Sequence, residues 1–223
     1  MSNKSWVIFA AVCVILLGSL IYFSRQNQVN VGEVNTKSVL AASEASGNIA
    51  DHTKGNKDSK VVLLEYGDFQ CPGCAGAHPA LKEMAEEFKE DIVFVFRNNP
   101  LTAMHPNARA AAAAAEAAGL QGKYWEMHDK LFDTQNNWTN ATPEDRLGVY
   151  EGYAREVGVK DMDKFRADVQ SAEVNTKINF DLALGRKDGV TATPTIFLND
   201  QKIEGDTWQN VETFRKTIQD AIK

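Results

Sequence analysis

Cysteine is scarce in this chain, three residues in 223. A multi-bridge disulfide scaffold is therefore excluded, and a chain of this length can bury a full core without one. Proline and glycine are also few, 6 and 15, which rules out a collagen-like architecture and, with 43% hydrophobic residues, wholesale disorder. Basic charge is in deficit. Lys and Arg number 24 against 30 Asp and Glu, a net charge of -6. The overall field repels a phosphate backbone, so general nucleic-acid binding is excluded. What interest the cysteines hold lies in their spacing.

Charge is missing altogether from Trp6 to Phe23. A helix of about 18 apolar residues spans roughly 27 Å, close to the thickness of a bilayer core. No small-x-small cleavage site follows, because Leu20-Ile21-Tyr22-Phe23-Ser24-Arg25 is bulky, so the run reads as a retained signal-anchor rather than a cleaved signal. Trp6 and Tyr22-Phe23 fall at the two interfaces, as aromatic belts do. Lys4 and Arg25 nearly balance one another; the short end, residues 1–5, is placed in the cytoplasm and the rest of the chain in an oxidising compartment. Cys13, inside the span, reads as a small hydrophobe, since Ala11-Val12 does not end in the small residue an acylated lipoprotein needs. Residues 24–57 are polar with no sustained apolar period and read as a flexible linker. Residues 58–223 then form one domain.

Within it, Val61 to Tyr66 and Ile92 to Phe96 are short apolar runs of strand type flanking a helix from about Pro72 to Lys89, the pattern of a βαβ unit. Helical stretches follow from Asn107 to Ala118, Tyr124 to Phe132, Pro143 to Val157 and Asp161 to Lys187, with Gly158 and Gly189 as stops. The alanine run in the first of these predicts a close-packing face. Thr195 to Ile203 reads as two strands about a turn at Asn199-Asp200, and Val211 to Ile222 as a terminal amphipathic helix. The expected fold class is α/β with an all-helical insertion at about residues 101–189, preceded by one transmembrane helix.

Cys71-Pro72-Gly73-Cys74 lies between the first strand and the first helix. Cys71 then sits at the helix N-terminus, Pro72 at the first helical position, and Cys74 one turn along on the same side. Free N–H groups and the helix dipole favour a thiolate at Cys71, which makes it the attacking sulfur and Cys74 the resolving thiol. Other uses of the pair fit less well. Zinc needs further ligands and the chain has no Cys downstream, so no metal is expected; His78 completes C-x-x-C-x-x-x-H but leaves such a site incomplete and reads as an exposed helix residue. A c-type haem needs His where Ala75 stands. A purely structural disulfide over two residues restrains the unfolded chain little. Glu65 is a carboxylate in the middle of an apolar strand. It either points beneath the cysteines, where it can accept a proton from Cys74, or it stands at an edge with its head in solvent. Pro79 is expected to kink or break its helix. Pro194 precedes a strand and belongs to a turn.

The stretch Glu65-Tyr66-Gly67-Asp68-Phe69-Gln70-Cys71-Pro72-Gly73-Cys74, with Pro79, His105-Pro106-Asn107-Ala108, Tyr124-Trp125-Glu126-Met127-His128 and Gly189-Val190-Thr191-Ala192-Thr193-Pro194-Thr195, resembles the DsbA-like thioredoxin-fold thiol-disulfide oxidoreductases, in particular their membrane-tethered bacterial branch. The resemblance runs from about Lys60 to the end of the chain. It implies Cys71 as nucleophile, Cys74 as resolving thiol, Glu65 as buried proton acceptor, and Pro194 as a cis-proline beside the disulfide. Thr193 would then hold an extended substrate segment through its backbone. It implies an extracytoplasmic enzyme that introduces disulfides into reduced or misoxidised exported proteins. Such an enzyme uses no cofactor and is reoxidised by a membrane partner of the DsbB or vitamin-K-epoxide-reductase kind. Oxidising members often carry Pro-His between the cysteines and Val before the proline. Gly73 and Thr193 depart from both, which predicts a less oxidising pair. The rival readings are a reductase or isomerase on the same site, a thiol-based metal-binding module, and an inert interaction domain.

Overall fold

A computed structural model of the chain describes Trp6, Phe9, residues 12–19, Val29 and residues 31–223, in two units, Met1–Asn30 and Val31–Lys223. In the first, residues 12–19 are helical and Val14, Ile15, Leu16 and Leu17 are exposed. Among the described residues no helix is long and apolar enough to cross a membrane. Most of the rest of the run from Trp6 to Phe23, expected as an anchor, lies outside them.

The second unit is built on a five-stranded sheet in the order β1-β3-β2-β4-β5. Its centre is the expected parallel pair, β2 (Val61–Gly67) and β3 (Ile92–Asn98), in register from Val61↔Ile92 to Gly67↔Asn98 and joined through α1 (Pro72–Glu87). Both strands are buried along nearly their whole length, which accounts for their continuous apolar character. β4 (Thr195–Leu198) runs antiparallel to β2, and β5 (Gln201–Ile203) antiparallel to β4. They meet at the expected Asn199-Asp200 turn. Asn199 takes a left-handed φ of 53° and clasps the start of β2, its N–H donating to the Val62 carbonyl (2.8 Å) and its Oδ1 accepting from the Val62 N–H (2.8 Å). α1 and the terminal helix α9 (Val211–Ile222) share one core in which Leu63, Ala77, Leu81, Met84, Phe94, Phe214 and Ile218 are buried.

The helical insertion comprises α2 (Ala108–Gly119), α3 (Tyr124–Asp133), α4 (Gln135–Trp138), α5 (Arg146–Glu156), α6 (Met162–Val169) and α7 (Ala172–Lys187), while α8 (Gly205–Trp208) lies after β5. The alanine run is a packing face as expected, with Ala111, Ala112, Ala114, Ala115, Ala117 and Ala118 all fully buried. The stretch from Asp161 to Lys187, expected as one helix, is two. The chain breaks at Gln170-Ser171, where the Ser171 hydroxyl accepts from the Val174 N–H and so caps α7. α1 runs on through Pro79 without a break.

Residues 31–57, read from sequence as part of a linker, pack within this second unit. β1 (Thr53–Gly55) pairs antiparallel with β3 at the sheet edge. Asp51 is buried between Arg97 (2.6 Å) and Lys177 (3.1 Å), and Lys177 reaches Asp181 at 2.7 Å. Arg97 also donates to the carbonyls of Thr36 and Ser38. The segment is held by polar side chains, by the pairing of β1 and by the buried Ile49 rather than by an apolar stripe, so hydropathy does not reveal it.

Candidate active site

β2 leads through Gly67-Asp68-Phe69-Gln70 into Cys71, the N-cap of α1, with Pro72 in the first turn. At that turn a proline costs no hydrogen bond. The first turn aims the N–H groups of Gly73 and Cys74 at the Cys71 sulfur. Cys74 follows one turn on and is wholly buried, whereas Cys71 keeps 8% of its surface. Both are free thiols. Cys74 Sγ accepts from the Asp68 N–H at 3.4 Å, and Cys71 Sγ lies 3.4 Å from the Thr193 carbonyl oxygen.

The Thr193-Pro194 peptide bond is cis. Gly73 faces it: a Cβ at Gly73 would lie 3.3 Å from Pro194 Cδ and 3.5 Å from Cys71 Sγ. The absent side chain therefore lets the helix start approach the proline closely.

Ionisation follows from these contacts. Cys71 is drawn down to about 5, first by the Cys74 thiol donating to it, against the opposing cost of burial, then by Thr193 and the two backbone N–H groups. Cys74 is pushed well up, first by burial and then by its own hydrogen bond to Cys71 and the charge of Glu65. Glu65 is 1% exposed. Its place on β2 two residues after Leu63 puts it on the face that packs against α1. Burial, then the charge on Cys71, raises it to about 8, while the Cys74 thiol pulls the other way. That burial sets the solvent-facing alternative aside, and its Oε1 has no hydrogen-bond partner. One thiol is held as an anion, its neighbour as a neutral thiol, and a carboxyl that can gain or lose a proton near neutral pH lies beneath them.

The loop that carries Cys71 is held by the helical insertion. Gln135 donates to the carbonyls of Phe69 (2.8 Å) and Cys71 (3.0 Å). Asp68 accepts from the N–H groups of Gln70 (2.7 Å) and Leu101 (2.8 Å), and its Oδ2 lies 2.8 Å from His105 Nδ1. Gln70 reaches the Thr139 carbonyl (2.9 Å) and accepts from the Asn107 N–H (2.6 Å). The sequence offers a signal for Asp68 and Gln70, polar residues between an apolar strand and Cys71. For Gln135 it offers none.

His78 is not the exposed helix residue expected. It is 5% exposed, stacked on Phe132 with ring centroids 5.1 Å apart and 3.5 Å from Asp133 Oδ1. His128 is buried beside it and held down to about 4, chiefly by burial, and so is neutral. His78, His128 and Asp129 offer ligand atoms within 4.8 Å of one another, but the Lys82 ammonium already stands 2.8 Å from Asp129 Oδ2.

The family model described as "Thioredoxin" matches residues 47–220. Among solved structures, the chain is similar to BdbD from Bacillus subtilis (TM-score 0.66, 22% identity, 83% of this chain and 98% of that one). It is similar also to the thiol-disulfide exchange protein alpha-DsbA2 from Wolbachia pipientis (0.64, 22%, 77% and 87%). A thioredoxin-like oxidoreductase from Silicibacter pomeroyi DSS-3 matches at 0.59 with 25% identity over 79% and 99%. Among curated proteins, "Na(+)/H(+) antiporter NhaA 1" of Salinispora arenicola is 38% identical over 172 residues, 77% of this chain and 25% of that protein. The chain thus spans about a quarter of the length of the curated relatives it matches, and the transport in their name is said of those proteins. The sheet, the helical insertion and the Cys71-Pro72-Gly73-Cys74 helix start have the architecture of the thiol-disulfide oxidoreductases among these neighbours, and with the family model covering residues 47–220 the chain belongs to the thioredoxin family.

Proposed function

We propose that this chain is an extracytoplasmic thiol-disulfide oxidoreductase that passes the Cys71–Cys74 disulfide to exported proteins, tethered to the membrane by the uncharged run from Trp6 to Phe23. The observation that carries the reading is the placement of the two thiols, Cys71 at the N-cap of α1 and Cys74 wholly buried one turn on, which drives their ionisation apart, Cys71 to about 5 and Cys74 well above its ordinary value. A substrate thiolate attacks Cys71 Sγ of the disulfide; the S–S bond breaks and Cys74 leaves with the electron pair. Cys74 then needs a proton. Glu65, which its burial raises whatever the state of Cys71, is placed to supply it. A second substrate thiolate attacks the substrate sulfur of the mixed disulfide and expels Cys71, whose low pKa makes it the better leaving group. The substrate has lost two electrons and the cysteine pair has gained them, to be passed to a membrane redox partner. In the reverse step the same carboxyl takes the proton back from Cys74 when Cys74 must attack.

The cis Thr193-Pro194 bond beside Cys71 supports main-chain capture of an extended substrate segment, hence a broad substrate range. Thiol pKa values run from about 3.5 in a strong oxidant to about 7 in thioredoxin. Cys71 falls between, so the reduction potential is expected to lie between the roughly -120 and -270 mV of those two proteins. A value at the thioredoxin end would assign electron flow to a reductase. The mechanism is tested with Cys74→Ser, which is expected to accumulate mixed disulfides with exported proteins through Cys71; a variant that traps none contradicts it.

A further inference from the structure

A cavity of about 560 Å³ opens in the helical insertion between α2 and α5, walled by Arg109 and Arg146 with Ala110, Pro143, Leu147 and Tyr150 among its other residues. The size is that of a small-molecule site. Neither cysteine nor Pro194 lines it, so it is separate from the exchange centre.

Its chemistry is one-sided. No Asp or Glu lines the wall, although acids outnumber bases in the chain. The Arg109 guanidinium donates only to amide oxygens, Asn175 Oδ1 (3.1 Å) and carbonyl (3.5 Å) and Asn179 Oδ1 (2.9 Å). Arg146 donates to Asn107 Oδ1 (3.2 Å). Neither forms an ion pair among the described residues, whereas Arg97, Arg155, Arg166 and Arg215 each hold a carboxylate. Burial draws Arg109 below the ordinary arginine range, with no anion to offset it. Tyr150, in the same wall, has a buried hydroxyl with no acceptor. Two half-buried guanidiniums and an unmatched donor around an open volume form a site whose missing component is negative charge.

We propose that this cavity binds an oxyanion, a carboxylate or a phosphate, carried on a small organic molecule whose apolar part lies against Leu147 and Ala110. The guanidiniums supply planar N–H donors to the anion. The alanine and leucine surface between them takes the remainder.

The test is calorimetric titration of the full chain with phenyl phosphate, with 4-phenylbutyrate, and with the neutral 4-phenylbutanamide. At least one of the two anions is expected to bind saturably, and which one does distinguishes phosphate from carboxylate; the amide is expected not to bind. Arg146→Gln should weaken the anion about tenfold, the worth of one charge-assisted hydrogen bond, and Arg146→Lys less. Leu147→Glu puts a carboxylate into the wall without removing a hydrogen bond and should abolish binding. The proposal is overturned if the amide binds as tightly as the acid. It is also overturned if neither anion binds below about 10 mM, or if Arg146→Gln and Leu147→Glu leave the affinity unchanged. Binding is read without disulfide exchange, so the outcome is independent of the reaction at Cys71.

Discussion

Glu65→Gln separates what the buried carboxyl does for stability from what it does for exchange. In the folded protein Glu65 titrates near 8, raised from 4.5. Over that window the native state keeps a proton that the unfolded chain releases, so the stability it supports is present below the unfolded value and is lost as pH rises. The slope is about 1.4 kcal/mol per pH unit. At pH 7 the accumulated cost is about 3 kcal/mol, and the amide removes it. The glutamine brings its own offset of about 1–3 kcal/mol if its N–H₂ is left unmatched, but that offset does not vary with pH. Urea unfolding of the reduced protein and the variant from about pH 5 to pH 8 therefore tells the two apart. The difference should move in favour of the variant by about 1.4 kcal/mol per unit, the Cys71 titration being common to both. Proton transfer to and from Cys74 should meanwhile slow roughly 100-fold in single-turnover exchange. A stability difference that stays flat across that range refutes the placement of Glu65 as a buried, largely protonated acid.

The remaining predictions concern the frame. Asp51→Asn leaves the buried Arg97 and Lys177 short of a shared anion and is expected to cost about 3–5 kcal/mol in denaturant unfolding; a loss under about 1 kcal/mol would contradict the buried network. Gly67 and Gly76 should respond oppositely to alanine. A Cβ at Gly67 would lie 2.2 Å from the Phe96 ring, whereas Gly76 has nothing within 4 Å. Gly67→Ala is thus expected to destabilise by about 1–3 kcal/mol and Gly76→Ala to stabilise α1 by about 0.5–1 kcal/mol, both read from thermal unfolding midpoints.

What the sequence disclosed was local chemistry. The two apolar strands, the Cys71-Pro72-Gly73-Cys74 helix start, the alanine face and the Asn199-Asp200 turn each carry their signal within a few residues. The cis bond before Pro194 was expected from family resemblance, since composition does not report it. What stayed hidden depends on partners far along the chain. His78 looked like a surface residue because the ring that covers it, Phe132, arrives from the insertion. Residues 31–57 looked like a tether because Asp51 is anchored by Arg97 and Lys177, and His52 by Glu116, with Ile49 reaching the core but no apolar stripe around it. Gln135, which holds the Cys71 carbonyl, is one glutamine among many until the fold places it there.

The central claim is that Cys71 exists as a thiolate at neutral pH. Its most direct test is the rate of iodoacetamide alkylation of Cys71 in the reduced protein as a function of pH, followed by mass spectrometry so that Cys13 and Cys74 are counted separately. The account predicts a midpoint near 5, with Cys74 unreactive throughout. A midpoint at the ordinary thiol value of about 8.5 would contradict it.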